Sequence, residues 1–271
     1  MTTTATRSGE SRPRAAIAAK TLRTDRWWLT PLLTFLGLSA FVVYGIVRAL
    51  MNKYYWAGDV HYLAPFYSPC LTESCVPGSS HFLGQPFPQL PSWMSPAMII
   101  LVLPGGFRLT CYYYRKAYYR SFWLSPPACA VPDGHKRYSG ETRFPLIFQN
   151  VHRYFFYGAL FVGSVLTYDA VLAFKGIDGG FGIGLGTIIL WINVVLIWGY
   201  TLGCHSCRNI IGGRLRHFSK HPVRYKLWTR VSKLNAKHQE WAWASLFFVM
   251  FADAYVMAVA AGWITDLRIF N

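Results

Sequence analysis

The sequence predicts an all-α membrane protein, a bundle of five transmembrane helices, on three observations. Its 271 residues are 53% hydrophobic and 17% aromatic but only 14% charged, against about 25% charged in soluble domains. Five long charge-poor apolar runs are present, each near the roughly 20 residues needed to cross about 30 Å of hydrocarbon. The charges are lopsided, with 27 Lys and Arg against 11 Asp and Glu, and they fall in alternate connections between those runs. The apolar content excludes a disordered chain, and six cysteines are too few for a disulfide scaffold.

The elements follow in order. Residues 1–27 form a basic tail with no apolar core or cleavage site, so a signal peptide is not predicted. Spans are predicted at about 28–46, 93–114, 148–174, 183–203 and 241–264, giving a transmembrane domain over 28–264 and a tail over 265–271. The second span is expected to be broken at Pro104-Gly105-Gly106 and carries Arg108. The tail 1–27 and the connections 115–147 and 204–240 hold six, six and nine basic residues, or 21 of 27, whereas the other side has Lys53, Lys175 and Arg268. The positive-inside rule then places the N-terminus in the cytoplasm and the C-terminus and one long loop outside. The basic face suits anionic lipid headgroups or an acidic soluble partner, and the topology suits a bacterial inner membrane. It also accounts for the basic 204–240 segment without nucleic acid.

Cysteine placement agrees. Cys70 and Cys75 lie in the Pro-rich outer loop (SPCLTESC), on the oxidising side, where a disulfide would pin about 45 residues. Four thiols remain inside. Cys111 is near the inner end of span two, Cys204 and Cys207 (GCHSC) close span four, and Cys129 sits in a loop as an ordinary reduced thiol. His152 (QNVHRYFF) opens span three and His238 (NAKHQEWAW) opens span five. Thiolates and imidazoles at one depth on four helices are the ligands iron and zinc prefer.

Three kinds of site fit. Haem b would take His152 and His238 as axial ligands and leaves CHSC without a role. A structural zinc site, as in a transporter, would take Cys204, Cys207, His217 and His221 and leaves His152 and His238 without one. A Rieske-like [2Fe–2S] cluster uses both groups, two Cys on one iron and two His on the other, with a potential of about −150 to +300 mV that suits electron delivery to a quinone.

Five spans, the inner basic surface and these ligands resemble the membrane-anchor subunit of succinate dehydrogenase. MTTTATRSGESRPR, CLTESC, GCHSC and QNVHRYFFYGAL look like the single-chain anchor of actinobacteria such as mycobacteria. That likeness implies flavoprotein and iron–sulfur partner subunits, electron transfer from succinate to quinone, no catalysis on succinate by this chain itself, and a Rieske-like cluster in place of haem. His152 and His238 then match the imidazole positions, and two of Cys111, Cys204 and Cys207 supply thiolates. His205 is placed outside, because a continuing helix would turn it about 100° from Cys204.

A quinone beside that cluster needs hydrogen-bond donors and an apolar slot. Arg108, at i and i+3 with Cys111, and Arg153, Tyr154, Gln239 and Trp241, which flank the two histidines, are the candidates. Asp169 and Asp253 lie 17 and 15 residues beyond those histidines, roughly 22–26 Å away along a helix. They suit a proton route, a second quinone position or helix–helix hydrogen bonding near the outer surface.

Overall fold

The computed structural model describes residues 21, 23–80, 82–135, 143–213 and 215–270. Most of the basic tail expected over 1–27, and residues 136–142 of the inner connection, lie outside the described residues. Five helices or helix pairs cross the bundle: α1 (Leu29–Met51), α2 (Pro96–Thr110) continued by α3 (Tyr112–Ser121), α4 (Arg143–Leu172), α5 (Leu185–Leu202) and α8 (His238–Ala260). Between α5 and α8 come α6 (His205–Gly212) and α7 (Pro222–Ala236). These observations support the five-span reading, with the first and last described residues at opposite ends of the bundle.

The second span departs from the expectation. Pro104 sits inside an unbroken α2, and the chain bends by 74° at Cys111 instead. A membrane helix tolerates the proline because neighbours re-satisfy the freed backbone groups. Of the two glycines beside it, Gly106 serves packing, since a Cβ there would stand 2.2 Å from the Phe155 ring of α4, whereas Gly105 faces open space. At 15 residues α2 is only about 22 Å long, so it ends near the inner boundary. α4 also starts earlier than expected, at Arg143, so His152 lies about two and a half turns into it.

α5 packs mainly on α8 and α4, and α2 on α4, whereas α1 lies at the periphery with only Pro31, Leu38 and Arg48 buried. Its apolar face, including Leu33, Val43 and Leu50, is left for lipid.

The long outer loop is a folded cap. β1 (Trp56–Ala57) and β2 (Tyr62–Leu63) form a small antiparallel ladder, and Tyr55, Tyr62, Phe66 and Tyr67 join Val162, Leu166, Leu190 and Val256 of the helices in one apolar cluster. Cys70 and Cys75 are disulfide-bonded within it. At the same end β3 (Ile183–Gly184) pairs with β4 (Arg268–Phe270) of the C-terminal tail.

The two membrane acids fasten this cap. The Asp253 carboxylate takes hydrogen bonds from Arg48 Nε at 2.5 Å, the Tyr44 hydroxyl at 2.7 Å and the Phe66 amide at 3.1 Å. Asp169 accepts from the Ser68 hydroxyl. Both acids therefore tie helices and loop together, the hydrogen-bonding role among those open to them from sequence. Arg48 lies just past the predicted end of span one, and its burial at 1% exposure was not legible from hydropathy.

Candidate functional site

A second apolar cluster fills the inner half of the bundle and holds Cys111, Cys204 and Cys207 beside Phe107, Tyr114, Phe156 and Tyr200. Two breaks in the helices position the first two sulfurs. Cys111 joins α2 to α3 in an extended conformation (φ −66°, ψ 134°), and Cys204 joins α5 to α6 in nearly the same one (φ −67°, ψ 146°). Each is 2% exposed or less. A thiol at such a break leaves the helical ladder and projects between the elements it connects.

Each sulfur meets an imidazole from another helix. His152 Nε2 of α4 lies 3.1 Å from Cys204 Sγ, and His238 Nε2, at the first residue of α8, lies 3.7 Å from Cys111 Sγ. His152 stacks on Phe107 with centroids 4.7 Å apart, and His238 stacks on Tyr200 at 5.0 Å. The environment of the outer ring nitrogen differs between them. Thr110 Oγ1 is 2.8 Å from His152 Nδ1 and donates its own proton to the Gly106 carbonyl at 2.7 Å. A hydroxyl has one proton, and while that proton is donated to the carbonyl the tautomer that satisfies Nδ1 of His152 is the one with its N–H there and the Nε2 lone pair toward Cys204. His238 is 1% exposed, and its Nδ1 has no hydrogen-bond partner among the described residues.

Cys111, Cys204, His152 and His238 line one open cavity of about 660 Å³, with Arg115, Arg153 and Arg208 also on its wall. Cys207 is buried nearby but is not on that wall. His205 is on it, which corrects the expectation that it points away. The helix does not continue through Gly203 and Cys204, so the 100° argument has no helix to act on. Thr110 and Tyr200 were missed as well, since neither is a ligand type and only the packing brings them to the imidazoles.

Among the described residues no three His, Cys, Asp or Glu side chains converge for one metal ion. The four-ligand zinc arrangement is therefore not formed, because His217 and His221 are exposed beside a short 3₁₀ turn while Cys204 and Cys207 are buried. A two-iron cluster makes a different demand, since it spreads four ligands over two metals, two on each. The N₂S₂ set of Cys111, Cys204, His152 and His238, with His152 half-buried and the other three buried, fits that donor chemistry, and Nδ1 of His238 is a buried polar atom left without a partner among the described residues.

The candidate quinone contacts are dispersed. Arg108 donates to the Tyr114 hydroxyl at 2.5 Å and to Ser245 Oγ at 3.1 Å, lies over the Tyr200 ring at 4.8 Å, and has no carboxylate partner among the described residues. It borders a separate apolar cavity of about 490 Å³ between α1, α2, α4, α5 and α8, which also reaches Phe107 and Tyr200, the rings stacked on the two histidines. Arg153 reaches Asn209 at 3.3 Å on the wall of the thiol–imidazole cavity. Gln239 borders a third cavity. Trp241 packs over Gly199, where a Cβ would stand 2.6 Å from its ring. Tyr154 is 74% exposed.

Residues 29–262 match the family of actinobacterial succinate dehydrogenase subunit SdhC. The chain is similar to a chain of the solved structure described as the Mycobacterium smegmatis Sdh1 complex in the apo form, with 59% identity and a TM-score of 0.87, covering 96% of this chain and 98% of that one. No curated protein matches it. The multi-pass helical fold and the basic inner face agree with these matches, and a subunit of this kind has other succinate dehydrogenase subunits as partners. The chain therefore belongs to the actinobacterial succinate dehydrogenase SdhC family, as a non-catalytic inner-membrane subunit of that oxidoreductase.

Proposed function

We propose that this subunit carries electrons from an iron–sulfur partner to quinone through a Rieske-like [2Fe–2S] cluster held by Cys111, Cys204, His152 and His238. The observation that carries the reading is the pair of Cys–His contacts, one buried and one half-buried, that four elements bring to one cavity wall. When bound, such a group supplies a one-electron relay at a potential that imidazole ligation raises toward that of quinones. The chain's own residues do the rest. Cys111 and Cys204 present sulfur from non-helical breaks, Phe107 and Tyr200 hold the rings in plane, and the Thr110 hydroxyl sets the tautomer of His152.

Quinone fits the apolar cavity bordered by Arg108. The Arg108 guanidinium is a charged donor at an otherwise greasy wall, suited to a carbonyl oxygen, and the cavity beyond it suits an apolar tail. The flavoprotein and the iron–sulfur subunit complete the path from succinate, the latter on the inner loops around 115–147 and 204–240. A haem b anchor is less well served, since each imidazole Nε2 faces a cysteine sulfur.

The test is metal and sulfide analysis of the intact complex with electron paramagnetic resonance. A [2Fe–2S] signal with two histidine nitrogens, lost on deleting this subunit's ligands, is the expected result. Stoichiometric haem with sharp reduced-minus-oxidised bands overturns it. Two further outcomes follow. Thr110→Val lowers cluster retention against a chelator about 10- to 100-fold, the usual cost of losing an outer hydrogen bond to a ligand, and Thr110→Ser restores it. Arg108→Met lowers kcat/KM for quinone about 10- to 100-fold, the worth of one charged hydrogen bond, with the cluster signal unchanged.

A further inference from the structure

Arg108 projects from the last turn of α2 and keeps its charge among neutral groups. Its guanidinium donates to the Tyr114 hydroxyl at 2.5 Å, to Ser245 Oγ at 3.1 Å and to the Ala242 carbonyl at 3.4 Å, and no carboxylate pairs with it among the described residues. Oxygen dipoles solvate a cation without cancelling it, and an uncancelled charge within a membrane bundle is costly. A negative charge that forms nearby offsets that cost.

Two aromatic contacts carry the cation toward an imidazole. The guanidinium carbon stands 4.8 Å from the centroid of the Tyr200 ring, and that ring stacks on His238 at 5.0 Å with an interplanar angle of 11°. The guanidinium is thereby held within about 10 Å of the imidazole, where one charge shifts an equilibrium about tenfold at the effective dielectric of a protein. The backbone ties the same residue to the facing sulfur. The Cys111 amide donates to the Arg108 carbonyl at 3.1 Å, and Cys111 Sγ is 3.7 Å from His238 Nε2. Arg115, Arg153 and Arg208 are placed differently, on the wall of the open thiol–imidazole cavity. Arg108 is half-buried against the apolar cavity, on the other side of Tyr200, where its charge is less screened than at a wetted surface.

We propose that Arg108 is an electrostatic tuning residue, whose fixed charge, held over Tyr200 against His238, raises the midpoint potential of the proposed [2Fe–2S] centre. The inference rests on that reading of the ligand set. A centre with two thiolates and two neutral imidazoles has no net charge when oxidised and one negative charge after taking one electron from the iron–sulfur partner, and it returns to neutral when that electron passes to quinone. A nearby cation stabilises the reduced form and leaves the oxidised form almost untouched. Because the same guanidinium borders the cavity assigned to quinone, the electron's last station and its destination share one counter-charge.

The experiment is a redox titration of the assembled complex followed by electron paramagnetic resonance, with the histidine-nitrogen couplings recorded alongside. Arg108→Met is expected to retain the [2Fe–2S] signal and both nitrogen couplings while the one-electron reduction equilibrium falls about tenfold, a shift of about 59 mV. Arg108→Lys keeps most of the parental potential, because the charge remains. Ser245→Asp supplies an independent arm: a carboxylate where Ser245 Oγ now accepts from Arg108 pairs the guanidinium in place, so the potential falls although Arg108 is still present. An Arg108 that served packing alone would not respond to Ser245→Asp in this way. With the signal present, a parental midpoint in either Arg108→Met or Ser245→Asp overturns the inference and leaves the cluster standing. A fall in Arg108→Lys as large as that in Arg108→Met also overturns it. Absence of a [2Fe–2S] signal from the parent complex overturns the cluster reading and this inference with it. If Arg108→Met does not assemble, Ser245→Asp and Arg108→Lys decide.

Discussion

Replacing His152 and His238 together with alanine is expected to abolish quinone reduction by the assembled complex while succinate oxidation with a soluble dye persists. The two imidazoles supply half of the proposed N₂S₂ donor set. Loss of a single outer-sphere hydrogen bond already costs about 10- to 100-fold in metal affinity or activity, so loss of two ligands exceeds that range. A soluble dye collects electrons upstream, in the partner subunits, and is indifferent to the membrane relay. The same substitution removes the two stacking contacts on Phe107 and Tyr200, so assembly is checked by subunit stoichiometry before rates are compared. An assembled double variant that reduces quinone at the parental rate refutes both roles. His217→Ala with His221→Ala, in the exposed connection, is expected to leave quinone reduction intact.

Asp253→Ala is expected to produce the largest loss of stability of any single substitution in the bundle. Its carboxylate is 0% exposed and receives three hydrogen bonds, from Tyr44 and Arg48 of α1 and from the Phe66 amide of the outer cap. Removing one partner of a buried ion pair typically costs about 3–5 kcal/mol, because the other charge is left without compensation. Arg48, 1% exposed, is that charge, and lipid offers it no water. Replacing both residues, Arg48→Met with Asp253→Leu, removes the stranded charge and recovers much of the loss. The measurement is the midpoint of thermal inactivation of the solubilised complex. A single-substitution midpoint equal to that of the parent, or a double variant worse than the single, contradicts this account.

Hydropathy and charge asymmetry made the number of spans and the basic face legible, because both are sums over many residues. What they could not show depends on single backbone positions. The break at Cys111 rather than at Pro104 follows from how α2 meets α3 and α4, and proline in a membrane helix looks the same in sequence whether or not the helix yields. His205 was misplaced for the same reason, since the periodicity argument assumed a helix that stops two residues earlier. The Cys and His candidates were visible as residue types at one depth. The proposed choice among the three thiols rests on the cavity wall, where Cys111 and Cys204 are found and Cys207 is not. Arg48 and Thr110 carry no motif. Arg48 falls past a hydropathy boundary, and Thr110 is recognisable only from the imidazole beside it.

The two extended cysteines have a mechanical consequence. α3 and α6 each begin one residue after a sulfur that faces an imidazole, and each is a short helix on the end of the bundle that carries the basic connections. A tilt of either helix pivots about that residue, so its cysteine sulfur moves against a histidine held on a longer, better anchored helix. Sulfur-to-imidazole spacing is thus a readout of how α3 and α6 are seated. Any protein that settles on this face acts on two levers whose short arms end at the thiols, which makes the seating of a neighbouring subunit and the shape of the ligand pocket one geometrical variable.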